Sequence, residues 1–203
     1  ELFLNSRQEY KQYYLKKINN VFIDNPFSNA MLGDMNYEGK YLEKNINTSI
    51  NYYKRASDQN VPEAQYNLAR IYHYGIDVEC DIDQAIHYYQ LAANQNFTLA
   101  NLNLGVIYSN KNLSVYDIEK AIHYYTIAAN QNNISAQYNL GITYLDYPLD
   151  KPDIKKAIYY FTLAADKEHA PSQYNLGVIY SDGNLIQRNI PKAIFYYTSA
   201  ASQ

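Results

Sequence analysis

The sequence predicts an all-α fold of stacked helix pairs, and three observations carry that prediction. One hexapeptide recurs every 36 residues: Ala64-Gln-Tyr-Asn-Leu-Ala69, Ala100-Asn-Leu-Asn-Leu-Gly105, Ala136-Gln-Tyr-Asn-Leu-Gly141 and Ser172-Gln-Tyr-Asn-Leu-Gly177, with a degenerate first copy at Ser28-Asn-Ala-Met-Leu-Gly33. A second motif keeps the same period: Ser49-Ile-Asn-Tyr-Tyr53, Ala85-Ile-His-Tyr-Tyr89, Ala121-Ile-His-Tyr-Tyr125, Ala157-Ile-Tyr-Tyr-Phe161 and Ala193-Ile-Phe-Tyr-Tyr197. Within each motif the apolar residues fall three or four positions apart, the interval that collects side chains on one face of a helix.

Each 36-residue copy therefore reads as two helices. In helix A of the second copy Ala64, Leu68, Ile71 and Tyr72 share a face. In helix B, Ile82, Ala85, Ile86, Tyr89, Ala92 and Ala93 form the stripe, and every copy of helix B ends in a small pair such as Ala92-Ala93 or Ala164-Ala165. Between A and B stand turn formers: Gly75 and Asp77, Asn110 and Asn112, Pro148 and Pro152, Asp182-Gly183-Asn184. Asp81, Asp117, Asp153 and Asn189 precede helix B, where a short oxygen-bearing side chain can accept from the free amides of the first turn. Asn-Gln-Asn at 94–96 and 130–132 closes helix B, since Asn tolerates the left-handed conformation of a helix end. The small residues leave room for side chains of the adjoining repeat, so Gly105→Trp is expected to break the stack locally. A lone copy cannot bury its apolar face, whereas stacked copies share a continuous core.

Composition narrows the function. With 47% hydrophobic and 18% charged residues the 203-residue chain has the makeup of a protein that buries a core. A net charge of −3 without any run of Lys or Arg argues against phosphate backbones and anionic lipid as partners. No stretch has the length of apolar sequence that a membrane helix needs, and the first residues lack the pattern of a signal peptide. The sequence begins without Met, which points to processing or to a longer parent. Cys80 stands alone, which excludes an internal disulfide and fits a reducing compartment. Four Asn-x-Ser/Thr sequons, at Asn47, Asn96, Asn112 and Asn133, are what an Asn-rich chain yields by chance. No phosphate loop, nucleophile elbow or His-Glu-x-x-His pair occurs, so neither catalysis nor a cofactor is expected.

The run Ala-Gln-Tyr-Asn-Leu-Gly, a Tyr four residues on, a loop, and then Lys-Ala-Ile-x-Tyr-Tyr-x-x-Ala-Ala resembles the Sel-one-like repeat, a relative of the tetratricopeptide repeat. The resemblance covers residues 28 to 203, in copies at about 28–63, 64–99, 100–135, 136–171 and 172–203. Ala69 in place of Gly, Leu102 in place of Tyr, and Ala30-Met31 in place of Tyr-Asn are the departures. Residues 1–25, with Glu9-Tyr10-Lys11-Gln12-Tyr13-Tyr14, read as a capping helix or a worn half repeat. The resemblance implies an α-solenoid of antiparallel helix pairs wound into a right-handed superhelix. It further implies that helix A lines a concave face holding a peptide or partner protein, often as an adaptor, with no shared chemistry.

By analogy with tetratricopeptide grooves, Asn67, Asn103, Asn139 and Asn175 point into that face, where a carboxamide offers both donor and acceptor. The alternative is that they bond the neighbouring repeat and fix the stack. Tyr66, Tyr138 and Tyr174 beside them are either interface anchors or packing residues. Arg70 is a candidate receiver for a carboxylate or a solvated surface charge, with His73 and Tyr74 a turn further on. Arg70 faces no charged counterpart in later copies, where Val106, Ile142 and Val178 stand, which suggests an asymmetric ligand. His87 and His123 occupy equivalent positions, but Tyr159 and Phe195 fill them later, so an aromatic stripe is preferred over a metal bridge. Cys80 sits between Glu79 and Asp81, neighbours that disfavour a thiolate. The expected function is a protein-binding scaffold, with a targeting or regulatory module of a larger protein, an enzyme included, as the alternative.

Overall fold

The computed structural model describes residues 25–146 and 152–203. The segment read as a capping helix or half repeat, and the turn at Pro148, lie outside these residues. Ten helices occupy the described residues: α1 Pro26–Glu38, α2 Ile46–Asp58, α3 Pro62–Tyr74, α4 Ile82–Ala93, α5 Thr98–Ser109, α6 Ile118–Asn130, α7 Ile134–Leu145, α8 Ile154–Ala165, α9 Ala170–Ser181 and α10 Ile190–Ala201. Odd-numbered helices are helix A of successive copies, and even-numbered helices are helix B. The chain falls into two compact units divided between Phe97 and Thr98. The first contains α1 to α4 and the second α5 to α10.

Local chemistry sets the boundaries. Asn45, Asp81, Asp117, Asp153 and Asn189 each accept a hydrogen bond from the amide three residues on, at 2.9–3.0 Å, at the start of a helix B. The backbone amides of the same residues donate to the carbonyls of Asn36, Tyr72, Tyr108, Tyr144 and Tyr180 near the end of helix A, so one peptide unit ties the hairpin at both sides. Helix B closes with a left-handed residue: Asn60, Asn96, Asn132 and Glu168 have φ of 60–64°. The residue after each donates back to the small residue five earlier, as Val61 does to Ala56 and Asn133 to Ala128, which is the Schellman pattern. Glu168 is the exception in chemistry, since a Glu gains nothing from that conformation.

Within a copy, the aromatic of helix B lies flat on the small residue of helix A. A Cβ built on Gly33, Gly105, Gly141 or Gly177 would sit 2.4–2.7 Å from the ring of Tyr53, Tyr125, Phe161 or Tyr197 respectively. The room at Gly105 therefore serves Tyr125 of the same repeat, not a side chain of the adjoining one as the sequence suggested. A second aromatic pair seals the hairpin: Tyr72 on Tyr88, Tyr108 on Tyr124, Tyr144 on Tyr160 and Tyr180 on Tyr196, with centroids 5.7–6.0 Å apart and rings within 7° of parallel. Lys120, Lys156 and Lys192 extend over Tyr108, Tyr144 and Tyr180 at 4.8–5.2 Å.

Between copies, helix A lies on the preceding helix B: α3 on α2, α7 on α6 and α9 on α8. Ala64 and Leu68, Ala136 and Leu140, and Leu176 are fully buried there. The contact carries one buried polar stitch. Gln65, Gln137 and Gln173 donate to the carbonyls of Ser57, Ala129 and Ala165 at the end of the preceding helix B, at 3.2–3.3 Å. Each then accepts from the end of its own helix B: from Gln95 at 2.8 Å, Lys167 at 3.2 Å and Gln203 at 3.1 Å. One carboxamide thus joins three helices and satisfies a carbonyl that helix geometry leaves open.

Candidate functional site

Three of the helix A residues nominated from sequence, Asn67, Arg70 and Asn139, line two clefts, one in each unit. In the first unit a small cleft of about 80 Å³ is lined by Asp34, Tyr37, Glu38, Tyr53, Asn67 and Arg70. In the second unit a larger one of about 220 Å³ is lined by Ser109, Lys111, Tyr125, Asn139, Ile142 and Asp146, among others. The two occupy the same place in their helix pairs. Asn139 replaces Asn67, Tyr125 replaces Tyr53 and Ile142 replaces Arg70, each 72 positions on.

At the floor of the first cleft Asp34 Oδ1 accepts from the Tyr53 hydroxyl at 2.7 Å and from Asn67 Nδ2 at 3.1 Å, and Asn67 Nδ2 also lies 3.4 Å from the Tyr53 oxygen. Burial raises the Asp34 carboxyl above its usual range, the Tyr53 hydrogen bond opposes the rise, and the charge of Glu38 adds to it. The Tyr53 hydroxyl is likewise pushed up by burial and by the anion it serves. In the second cleft Ser109 Oγ spends its single proton on the Val106 carbonyl at 3.0 Å, so Tyr125, 3.0 Å away, is the donor to Ser109. Asn139 in turn bonds the Tyr125 hydroxyl, whose pKa is raised by burial. Lys111 and Asp146 face each other at the rim, 3.9 Å apart.

The remaining candidates are distributed differently. Asn103 and Asn175 donate to the carbonyls of Leu99 and Pro171 in their own helices, at 3.0 and 2.9 Å. Tyr66 packs on Tyr89 and Phe97, and Tyr138 on Phe161 and His169, with centroids 5.0–5.9 Å apart. Tyr174 touches Tyr197 and is 57% exposed. The Arg70 guanidinium extends over the Tyr66 ring at 5.8 Å. His73 is half-buried, pairs with the Tyr89 hydroxyl at 3.4 Å and stacks on exposed Tyr74; burial holds its imidazole below the usual range.

Outside the clefts, exposed His87 and His123 rest edge-on against Tyr88 and Tyr124, and Cys80 Sγ donates to the His73 carbonyl at 3.2 Å. Among the described residues no group of three or more His, Cys, Asp or Glu is placed to hold a metal ion. Two features escaped the sequence reading. Asp34 stands in the degenerate copy, where no motif marks it. The buried Gln65, Gln137 and Gln173 were visible as a recurring letter, but a polar residue at a fixed position reads as exposed until its two partners are known.

Comparison with known proteins places this architecture. The family model for the Sel1 repeat matches residues 26–61, 62–97, 98–133, 134–169 and 170–203. The chain belongs to the Sel1 repeat family. A Sel1 repeat protein from Oxalobacter formigenes is 30% identical, with a TM-score of 0.74 over 96% of this chain and 83% of that one. The immunity proteins PA5088 and Pa5087 from Pseudomonas aeruginosa are each 18% identical, with TM-scores of 0.53 and 0.52 over 95% of this chain and 73% and 72% of theirs. At that identity they share the fold. No curated protein matches the chain. Sel1 repeat proteins are in general protein–protein interaction modules and generally not enzymes. Among the described residues of this Sel1 repeat chain, no helix is long and apolar enough to cross a membrane.

Proposed function

We propose that the chain is a scaffold or adaptor that holds a peptide or partner protein against its helix A face, without nucleic acid, cofactor or membrane insertion. The observation that carries this reading is the recurrence of a cleft at the same helix A position in both units, each floored by an Asn and a Tyr hydroxyl. The lining side chains differ between the two, acidic with Arg70 in one and Ile142 with a Lys111–Asp146 rim in the other. Such differences select among ligands where a conserved floor cannot. The contact residues are then Arg70, His73, Tyr74, Ile142 and Tyr174, together with Tyr66, Tyr138 and the four Asn residues.

The test is affinity capture with mass spectrometry, comparing the native chain with Arg70→Glu, Ile142→Arg and Tyr174→Ala. Arg70 lines the first cleft and Tyr174 is exposed, so Arg70→Glu and Tyr174→Ala should melt at the native temperature; Ile142 also packs against the core around Phe161 and Leu176, so Ile142→Arg is compared once circular dichroism shows it folded. Loss of a captured partner from folded variants supports the helix A face. Undiminished capture by all three sends the search to the helix B face or the loops.

A further inference from the structure

We infer that the cleft of the second unit takes an arginine side chain of the partner segment. The inference rests on the helix A face being the binding face, and it follows from where the protons of the lining side chains go. Ser109 and Thr143 each carry one hydroxyl proton and give it to their own helices, to the Val106 carbonyl at 3.0 Å and the Asn139 carbonyl at 2.7 Å. Tyr125 is buried and gives its proton to Ser109 at 3.0 Å. Asn139 bonds the Tyr125 oxygen; since the proton of that oxygen is already placed, Asn139 is the donor there and keeps its carbonyl oxygen for a guest. The chain therefore offers the cleft mainly lone pairs, on Ser109, Thr143 and Asn139 inside and on the Asp146 carboxylate at the rim. A carboxylate or carbonyl entering here would give up water and find few donors in return, whereas a group with several N–H donors is satisfied.

Shape and charge narrow that donor to a guanidinium. Tyr116, Ile118 and Ile142 supply aromatic and apolar wall around a space of about 220 Å³, which suits a methylene stem ending in a flat cation. The N–H groups of Arg form a fixed fork that can divide between a carboxylate and neutral oxygens, while the ammonium of Lys is compact and strongly hydrated. Asp146 is open to such a guest. Lys111 comes no closer than 3.9 Å to it, and their side chains are 63% and 82% exposed, so the pair is a weak surface contact. Lys111 marks where a cation rests against this carboxylate, and it competes with the guest for the place.

The experiment selects peptides from a random display library on the full chain and follows a selected peptide by fluorescence anisotropy and hydrogen exchange. Enrichment in Arg is expected, with protection of α7 amides. Replacing that Arg by citrulline, its neutral isostere, should weaken binding about tenfold or more, as should Asp146→Asn in the chain, and the two losses should not add. Lys111→Gln should strengthen binding by removing the competing cation; an acidic ligand would respond the opposite way. Asp146 and Lys111 are exposed, so both variants should melt at the native temperature. Peptides that protect α7 but carry no Arg, or that bind equally well as citrulline forms, overturn the arginine site and leave the helix A face standing. Arginine peptides indifferent to Asp146→Asn, or weakened by Lys111→Gln, overturn it as well. Peptides that protect only helix B, or a selection that yields none, overturn both readings.

Discussion

Gly141→Ala sets two physical effects against each other. A Cβ at position 141 would lie 2.5 Å from Cδ1 and Cε1 of Phe161, where ordinary contact begins near 3.4 Å, so the ring must retreat by about 1 Å. Phe161 is fully buried and pinned by Tyr138, which leaves it no free direction. Overpacking of this kind costs about 1–3 kcal/mol. Ala in a helix interior is favoured over Gly by about 1 kcal/mol, which offsets part of it. The net expectation is a loss of up to about 2 kcal/mol, read from urea unfolding followed by circular dichroism. Because repeat chains unfold in segments, hydrogen exchange across α7 and α8 locates the loss. Adding Phe161→Leu should recover much of it, since the shorter side chain vacates the ring position. A Gly141→Ala chain more stable than native would refute the reasoning, leaving helix propensity as the whole effect. The second copy shows that the position is negotiable: Ala69 is buried there opposite Tyr89, so the ring can be held further out when its neighbours allow.

Four further outcomes follow from single sites. Glu168→Asn should stabilise by about 1 kcal/mol, because φ of 61° is strained for Glu and tolerated by Asn; an unchanged or lower melting temperature counts against it. Gln137→Ala should cost about 1–3 kcal/mol, since it removes the donor to the Ala129 carbonyl and the acceptor for Lys167; a neutral effect would show that water replaces the stitch. Burial holds His73 and His169 below their ordinary value of 6.5, so the folded state favours neutral rings, and stability present above that pH is lost as pH falls through the lowered values. Melts from pH 8 to 5 should therefore decline, and less steeply in His73→Gln with His169→Gln. Asp34 is displaced the other way: its folded form holds the proton more tightly, so stability present below the ordinary 3.8 is lost as pH rises through the raised value. Asp34→Asn should exceed the native chain in stability at pH 7, with the difference vanishing near pH 3.

The fold was legible because its determinants are local and repeated. Asp81, Asp117 and Asp153 cap helices through amides three residues away, and Asn96 and Asn132 close them through their own backbone, so adjacent letters sufficed. Partners across helices were less legible. Gly105 announced a close approach, but nothing in the spacing told that the approaching group was Tyr125, twenty residues on in the same copy. The Tyr72–Tyr88 stack spans a hairpin and obeys no helical interval. Gln65, Gln137 and Gln173 were hidden by their polarity, since burial is set by partners that only the packed helices supply.

The candidate Asn residues illustrate how a repeat motif can hold a position constant while its role changes. Tyr53 and Tyr125 offer hydroxyls that Asn67 and Asn139 of the next copies bond between repeats. Phe161 has no hydroxyl, and Asn175 turns to the Pro171 carbonyl of its own helix. An amide bonded to its own helix surrenders one intrahelical contact when a ligand takes it, whereas Asn67 would have to leave both Asp34 and Tyr53. The second exchange breaks bonds to a half-buried carboxylate and costs more. Adaptability on the helix A face is therefore greatest at Asn175, beside exposed Tyr174, and least at Asn67, although the motif writes the two identically.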